Sequence, residues 1–528
     1  MSGSHGIRRG VVQSLAFLAL LLVSVPAQAW AGQTPAQHSP LGTNLTRIED
    51  WSTDFAFLDA FKSSRTWESR NRVHVEDTRP VDVDAHGWVR SLQADQIATT
   101  RLFWDLSRAP GRYPVGRYVV SYEGEGTFEF GGSAVVTESR PGQQVLDVDP
   151  ARGGGIEINI IAVNPANYLR NISMRIPSSA PDTEMFNPKF VDSIRVYKVL
   201  RFKDWMATDG DYSLTGPSTQ QHWTDRPKVD DARWSGMSGV PVEVMAALTN
   251  RTGADPWFTM PHQADDDYVR HFAETAQRTL APNSRVYIEY SNEVWNRGYA
   301  QSAYVQARGL ALGLSTDPFE AGVRYQALRS QQIFDIWESV FPKDRLVRVL
   351  SSFSEIPSVT QQLLSYGDTR AHVDVLAIAP YFGIAGDDAP IAVGMNLDAL
   401  MNHLDTIDLP HTLEMSRQHV DIARRYGLPV IAYEAGLDLQ ARGTSLLEDP
   451  ALNALFDAAN RDPRSGKLYD RFLQGWNDVT GGQLMVHFID CEAYSVYGRY
   501  GTLEYLDQPR SQATKFDSLM RWIEQGAV

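Results

Sequence analysis

The run Arg285-Val-Tyr-Ile-Glu-Tyr-Ser-Asn-Glu-Val-Trp-Asn296 decides how the rest of the chain is read. Val286, Tyr287, Ile288 and Tyr290 carry the β-branched and aromatic composition of a strand, and Ser291-Asn292-Glu293 is a short polar exit. Glu293 therefore stands at a strand's C-terminal end, with Asn292 beside it. Leu428-Pro-Val-Ile-Ala-Tyr-Glu434-Ala-Gly436 repeats the pattern 141 positions later, and its glycine lets the backbone turn away after the carboxylate. In a parallel barrel the C-terminal strand ends form the face where chemistry is done, so Glu293 is a candidate proton donor and Glu434 its partner.

Outward from this pair, strands alternate with helical periods. Leu41-Gly-Thr-Asn-Leu45 reads as a first strand and a second ends at Arg201. Pro256–His262, the Glu293 strand, Leu346–Ser351, Val373–Tyr381, the Glu434 strand and Gly482–Asp490 bring the number to eight. Helical stretches such as Asp266–Leu280 and Thr412–Tyr426 fall between them. This spacing predicts an α/β fold, a (β/α)8 TIM barrel. Between its first two strands the period drops to two: Gly116–Tyr122, Gly126–Phe130, Ser133–Thr137, Gln144–Val148 and Gly155–Ile161 are short runs separated by Gly, Pro and Asp. They predict an all-β sandwich inserted between barrel strands 1 and 2. The expected boundaries are 41–85 for the first barrel segment, 86–178 for the sandwich and 179–528 for the rest of the barrel. Two separate domains, with the barrel starting after 190, would leave seven strands and no use for Gly42–Leu45.

Residues 1–29 combine Arg8 and Arg9, an apolar run from Leu15 to Val25 and a small-residue exit, Ala27-Gln28-Ala29, the pattern of a cleavable signal peptide. Residues 30–40 read as a flexible lead, and the expected localisation is secreted or periplasmic. No later stretch reaches the ~20 apolar residues of a membrane span. Cleavage takes the net charge from −15 to −17, which disfavours nucleic acid and anionic membranes and favours a neutral ligand. The one cysteine, Cys491, excludes an intramolecular disulfide, so stability rests on core burial.

Carboxylates closing strands four and seven face each other across a barrel mouth. Cleaving a glycosidic bond needs such a pair: one acid held protonated for the leaving oxygen, the other ionised at the anomeric carbon. A gap of about 5–5.5 Å selects retention and about 6.5–9.5 Å inversion.

Asn292-Glu293, Glu434, Arg201 ending strand two, His262 ending strand three and Tyr381 ending strand six together resemble the clan A glycoside hydrolases, most of all the family 5 type. The resemblance covers Gly42–Leu45 and about 190–525 and excludes the sandwich. It implies Glu293 as general acid/base, Glu434 as nucleophile and Asn292 as the holder of a sugar 2-hydroxyl. Tyr381 and His262 would line the cleft, and Arg201 would keep the nucleophile ionised. Two departures stand out. The last strand lacks the tryptophan expected to floor the sugar subsite, which makes His487 or Tyr494 the candidate stand-in. The tyrosine that usually partners the nucleophile is not identified, because Tyr433 is expected to point to the opposite side of its strand. The strand-four motif and Arg201-Phe-Lys-Asp-Trp205 also resemble, more loosely, bacterial proteins described as cellulose-binding, which implies a β-glucan-like ligand.

Plainer readings stand beside these. Arg201 could form a surface pair with Asp204, His262 could be a loop histidine, and Trp205 and Trp295 could stack on sugars or lie buried. Asp265-Asp266-Asp267 opens a helix and reads as an N-cap. No His and Cys spacing suits zinc, and neither metal nor cofactor is expected. The leading expectation is a secreted, retaining, endo-acting glycoside hydrolase on a β-linked neutral polysaccharide. The alternatives are an inactive carbohydrate-binding protein and a cell-wall transglycosylase. The sandwich is either a sugar-binding module or a buttress.

Overall fold

The computed structural model describes residues 38–526 apart from 74, 105, 107, 108, 209–217, 219 and 238. The expected signal peptide, and the lead up to residue 37, lie outside the described residues. Eight parallel strands close into a barrel: β1 (Leu41–Asn44), β2 (Val199–Arg201), β3 (Asp255–Met260), β4 (Val286–Tyr290), β5 (Leu346–Ser351), β6 (Val375–Ile378), β7 (Val430–Ala432) and β8 (Met485–His487). The sequence spacing predicted this order. β8 pairs back onto β1, with Gly42 opposite Val486. Gly42 also faces Val199 across β2, where a Cβ would come within 2.7 Å of the Val199 carbonyl oxygen, so only glycine lets these two strands lie this close.

Helices follow each strand, among them Val242–Thr252, Asp266–Thr279, Pro318–Glu338, Leu409–Arg425, Pro463–Thr480 and Thr514–Gly526. Aspartates cap several of them. Asp265 accepts from the Tyr268 amide at 2.7 Å, and Asp266 and Asp267 occupy the first turn, so the acidic run serves its own helix as the sequence indicated. No helix among the described residues is long and apolar enough to cross a membrane.

Between β1 and β2 lie two four-stranded antiparallel sheets. One runs in the order Glu68–Asn71, Gln96–Leu102, Ile156–Val163, Gly126–Gly132, and the other in the order Arg170–Arg175, Gly116–Glu123, Gln143–Val148, Ala134–Arg140. Their facing sides enclose Tyr118, Val120, Phe128, Leu146, Ile158, Ile160 and Met174, a core separate from that of the barrel, with Phe55 packed against both. The expected boundary at residue 86 needs correction. Glu68–Asn71 fell in the segment assigned to the barrel, yet it pairs with Gln96–Leu102. Its sequence, Glu-Ser-Arg-Asn, has no apolar alternation: this edge strand is held by backbone hydrogen bonds to Gln96–Leu102 and by polar side-chain contacts, Glu68 with Arg101, Arg70 with Glu157 and Ser69 with Gln96.

Candidate active site

Arg201, the last residue of β2, is the centre of the barrel mouth and is fully buried. Its Nη1 donates to Glu434 Oε1 at 2.8 Å and to Asn44 Oδ1 at 3.1 Å. Its Nη2 donates to Asn292 Oδ1 and to Glu289 Oε2, both at 2.9 Å, and Nε reaches the same Glu289 oxygen at 3.1 Å. Burial disfavours the cation, but the charges of Glu289 and Glu434 outweigh it and hold Arg201 above its ordinary range. Asp204 instead lies 3.5 Å from Arg47 and 3.4 Å from Lys203, which rules out the surface-pair reading of Arg201.

Glu434 is 4% exposed and follows β7. Oε1 takes the Arg201 bond and lies 3.7 Å from Lys203 Nζ, while Oε2 accepts from the Tyr381 hydroxyl at 2.8 Å. The tyrosine that partners this glutamate is thus Tyr381, delivered from the end of β6. Gly436, two residues on, has φ of +141°, and a Cβ there would come within 2.9 Å of both His487 Nε2 and Tyr469 Oη. Glycine lets the chain settle directly on that pair and fixes where Glu434 emerges.

Glu293 follows β4 through a turn in which Ser291 (φ 58°) and Glu293 (φ 43°) both take the left-handed conformation, at a cost on the order of 1 kcal/mol each for side chains of this kind. The turn carries the half-buried carboxyl into the mouth. Oε1 accepts from the Tyr433 hydroxyl and Oε2 from Asn296 Nδ2, each at 2.9 Å. Burial and then the negative charge of Glu434 push the Glu293 carboxyl up to about 7, against the smaller opposing effects of its two donors and of Lys203.

Tyr433 does not point away as strand alternation suggested. β7 ends at Ala432, so Tyr433 and Glu434 both lie past the last paired residue, where the two-residue period no longer applies. The Tyr433 ring rests 4.9 Å from the Arg201 guanidinium, and its carbonyl accepts from Asn44 Nδ2 at 2.9 Å.

The remaining expected residues divide. Asn292 meets Arg201 as described. Trp205 has no exposed surface: its ring packs among Phe57, Phe190 and Phe202 and its Nε1 donates to the Thr46 carbonyl at 2.9 Å, so it cannot stack on a sugar. Trp295 is 5% exposed, stacked on Phe353 and edge-on to Tyr433, and serves as backing for that tyrosine. His262 is buried, held by Gln263 at 3.2 Å and against Tyr304, and burial lowers it to about 4, which keeps it neutral. His487 lies beneath Gly436, 1% exposed, 2.9 Å from the Tyr469 hydroxyl, and Tyr494 is buried between Arg461 and Lys515. Neither offers a sugar floor. The aromatic at that strand end is Phe488, half-buried, edge-on to Tyr381, with Lys203 Nζ 4.5 Å from its ring centroid.

Asn44, Lys203, Glu289, Asn296, Tyr433 and Phe488 were absent from the expected site. Glu289 had a readable signal, since a carboxylate inside the apolar run Val-Tyr-Ile-Glu-Tyr needs a polar partner wherever that run is buried. The others are brought in by tertiary contact. Among the described residues, His86, Asp230 and Asp231 are the group with metal-ligand spacing; Asp231 Oδ2 already accepts from the Lys228 amide at 2.7 Å.

The arrangement supplies one carboxylate bonded to Arg201 beside Lys203 and one carboxyl that keeps its proton to near neutrality. That is the division of labour for proton donation with attack at an adjacent carbon.

No family model and no curated protein matches the chain. Solved structures do. The GH51 arabinofuranosidase from Xanthomonas axonopodis pv. citri is similar at 13% identity over 60% of this chain and 62% of its own, with a TM-score of 0.37. Xylanase 10B from Thermotoga maritima is similar at 12% identity over 66% of this chain and 91% of its own, TM-score 0.35. The CBM22-1–GH10 modules of a Clostridium thermocellum endo-1,4-beta-D-xylanase, solved with xylohexaose, are similar at 9% identity over 89% of this chain and 96% of theirs, TM-score 0.37. The chain thus spans less than two thirds of the arabinofuranosidase. None of the three descriptions names family 5.

Proposed function

We propose that the protein is a glycoside hydrolase that cleaves a β-linked, neutral, glucan-like polysaccharide by double displacement, with Glu434 as nucleophile and Glu293 as acid/base. The observation that carries this reading is the contrast between the two carboxyls. Glu434 is tied to Arg201 and Tyr381 beside Lys203, whereas Glu293 is raised to about 7 by burial and by Glu434 itself. Asn292, fixed by Arg201, is the proposed holder of the substrate hydroxyl next to the reacting carbon, and Phe488 the apolar wall. Export by way of residues 1–29 belongs to the same proposal, since a polysaccharide is met outside the cell.

The test is a screen of unlabelled β-linked polysaccharides with reducing-end detection, with the anomer of the first product read by proton NMR. Hydrolysis with retention, abolished in E434Q while glycan binding persists, is the expected result. Binding without any cleavage by the parent would leave a carbohydrate-binding protein, and an inverted first product would remove the nucleophile role.

A further inference from the structure

Each glutamate has its own tyrosine. Tyr381 on Glu434 comes from the next strand, whereas the tyrosine on Glu293 is the residue immediately before Glu434. Glu293 lies in a strained turn at the end of β4, and its local support is the Asn296 bond to Oε2. A carboxyl held at one oxygen can still pivot about its last torsion. The second hold, at Oε1, comes from across the mouth.

Tyr433 is suited to that hold. It is 1% exposed, edge-on to Trp295, with its ring against the Arg201 guanidinium and its carbonyl bonded to Asn44. Arg201 in turn grips Glu434. One residue thus connects the group that holds the nucleophile to the oxygen of the acid. We infer that Tyr433 is a positioning residue for Glu293: its hydroxyl and the Asn296 amide clamp the two carboxyl oxygens from opposite sides, which leaves the transferable proton one direction, into the mouth. The inference rests on the proposed roles of the two glutamates.

The charged and titratable groups facing Glu293 are Glu434 and Tyr433 from β7, Lys203 from the β2 end and Tyr381 from the β6 end. Burial and the negative charges of Glu293 and Glu434 keep both phenols well above their ordinary range, so Tyr433 stays a donor throughout the working pH range. A donor to Oε1 stabilises the ionised carboxylate, so its removal must raise the affinity of Glu293 for its proton.

The experiment is Y433F, which keeps the ring on Arg201 and Trp295. Two readouts are taken: the pH profile of kcat/KM on a cleaved glucan, and the titration of the Glu293 carboxyl by carbon-13 NMR on δ-labelled glutamate, assigned by difference with E293Q. Expected are a loss of about tenfold in kcat with KM little changed, an alkaline limb moved up by on the order of one unit, and the same upward movement in the NMR titration. Loss of activity with neither limb nor titration moved would overturn the inference, because a merely structural role predicts that result. If the parent cleaves no glycan but the NMR titration moves, the functional proposal fails and the clamp stands. If neither cleavage nor movement is found, both fall. Should Y433F not fold, 3-fluorotyrosine-labelled parent protein serves: its stronger donor must move the Glu293 titration down, and an unmoved titration overturns the inference.

Discussion

Glu434 and Glu293 are the same residue at equivalent ends of two barrel strands, and their surroundings make them opposites. Glu434 meets Arg201, Lys203 and a phenol. Glu293 meets a phenol and an amide, both neutral donors, and faces Glu434 as its main charged neighbour. Cations favour the ionised form, while burial beside a like charge favours the protonated one. The contrast teaches that the acid and the nucleophile are distinguished by what the other strands deliver to them, since the glutamates' own strands look alike.

The comparison can be broken at four points, from the largest expected effect to the smallest. Replacing Glu434 by Gln removes the proposed nucleophile. Hydrolysis is expected to fall by roughly 10⁴-fold or more, measured as kcat on the best glucan. Replacing Glu293 by Gln removes the proton donor, with an expected loss of about 10²–10⁴-fold that shrinks for substrates with an activated aryl leaving group.

The pH profile sharpens the same point. Glu293 must be protonated to act, so activity is expected to decline above about pH 7, and E293Q must erase that limb. Linkage gives the matching sign in stability. The folded carboxyl keeps its proton to about 7 and the unfolded one to about 4.5, so this group's contribution is fully present below about 4.5 and is lost as pH rises through 7.

Replacing Arg201 by Met leaves Glu289 buried without its cation and Glu434 with Lys203 alone. A loss of about 3–5 kcal/mol is expected in denaturant unfolding, because uncompensated buried charge is what makes a broken internal pair costly. The smallest effect belongs to Y381F, which removes one hydrogen bond to the Glu434 carboxylate. About 1.5–3 kcal/mol of transition-state stabilisation is expected to be lost, read from kcat/KM, with the fold intact. An effect on kcat/KM as large as that of E434Q would mean that the phenol, and not Arg201, is the main hold on Glu434.

The failures of the sequence reading share a cause. Trp205 was read as either a sugar-stacking or a buried ring, and His487 as a stand-in for the tryptophan that the last strand lacks, but residues near a strand end have two sides to turn to. Trp205 turned into the layer between barrel and helices, and His487 into the interior below Gly436. Phe488, one residue further, took the mouth. Tyr433 was misread for the converse reason, since alternation was extended one residue beyond the last paired position of β7. Glu68–Asn71 was missed because polar edge strands leave no periodic trace.

The barrel order, the insert between β1 and β2, and the two strand-end glutamates are local facts: apolar runs of strand length, a change of period from 3.6 to 2, and short polar exits are written in contiguous residues. Which glutamate holds a proton, which tyrosine serves which carboxyl, and which aromatic faces the mouth depend on Asn44, Arg201, Glu289, Tyr381 and Tyr433, which come from five different strands or strand ends. Electrostatics and hydrogen bonding act over a few ångströms of space whatever the separation along the chain, so only the closed barrel could decide them.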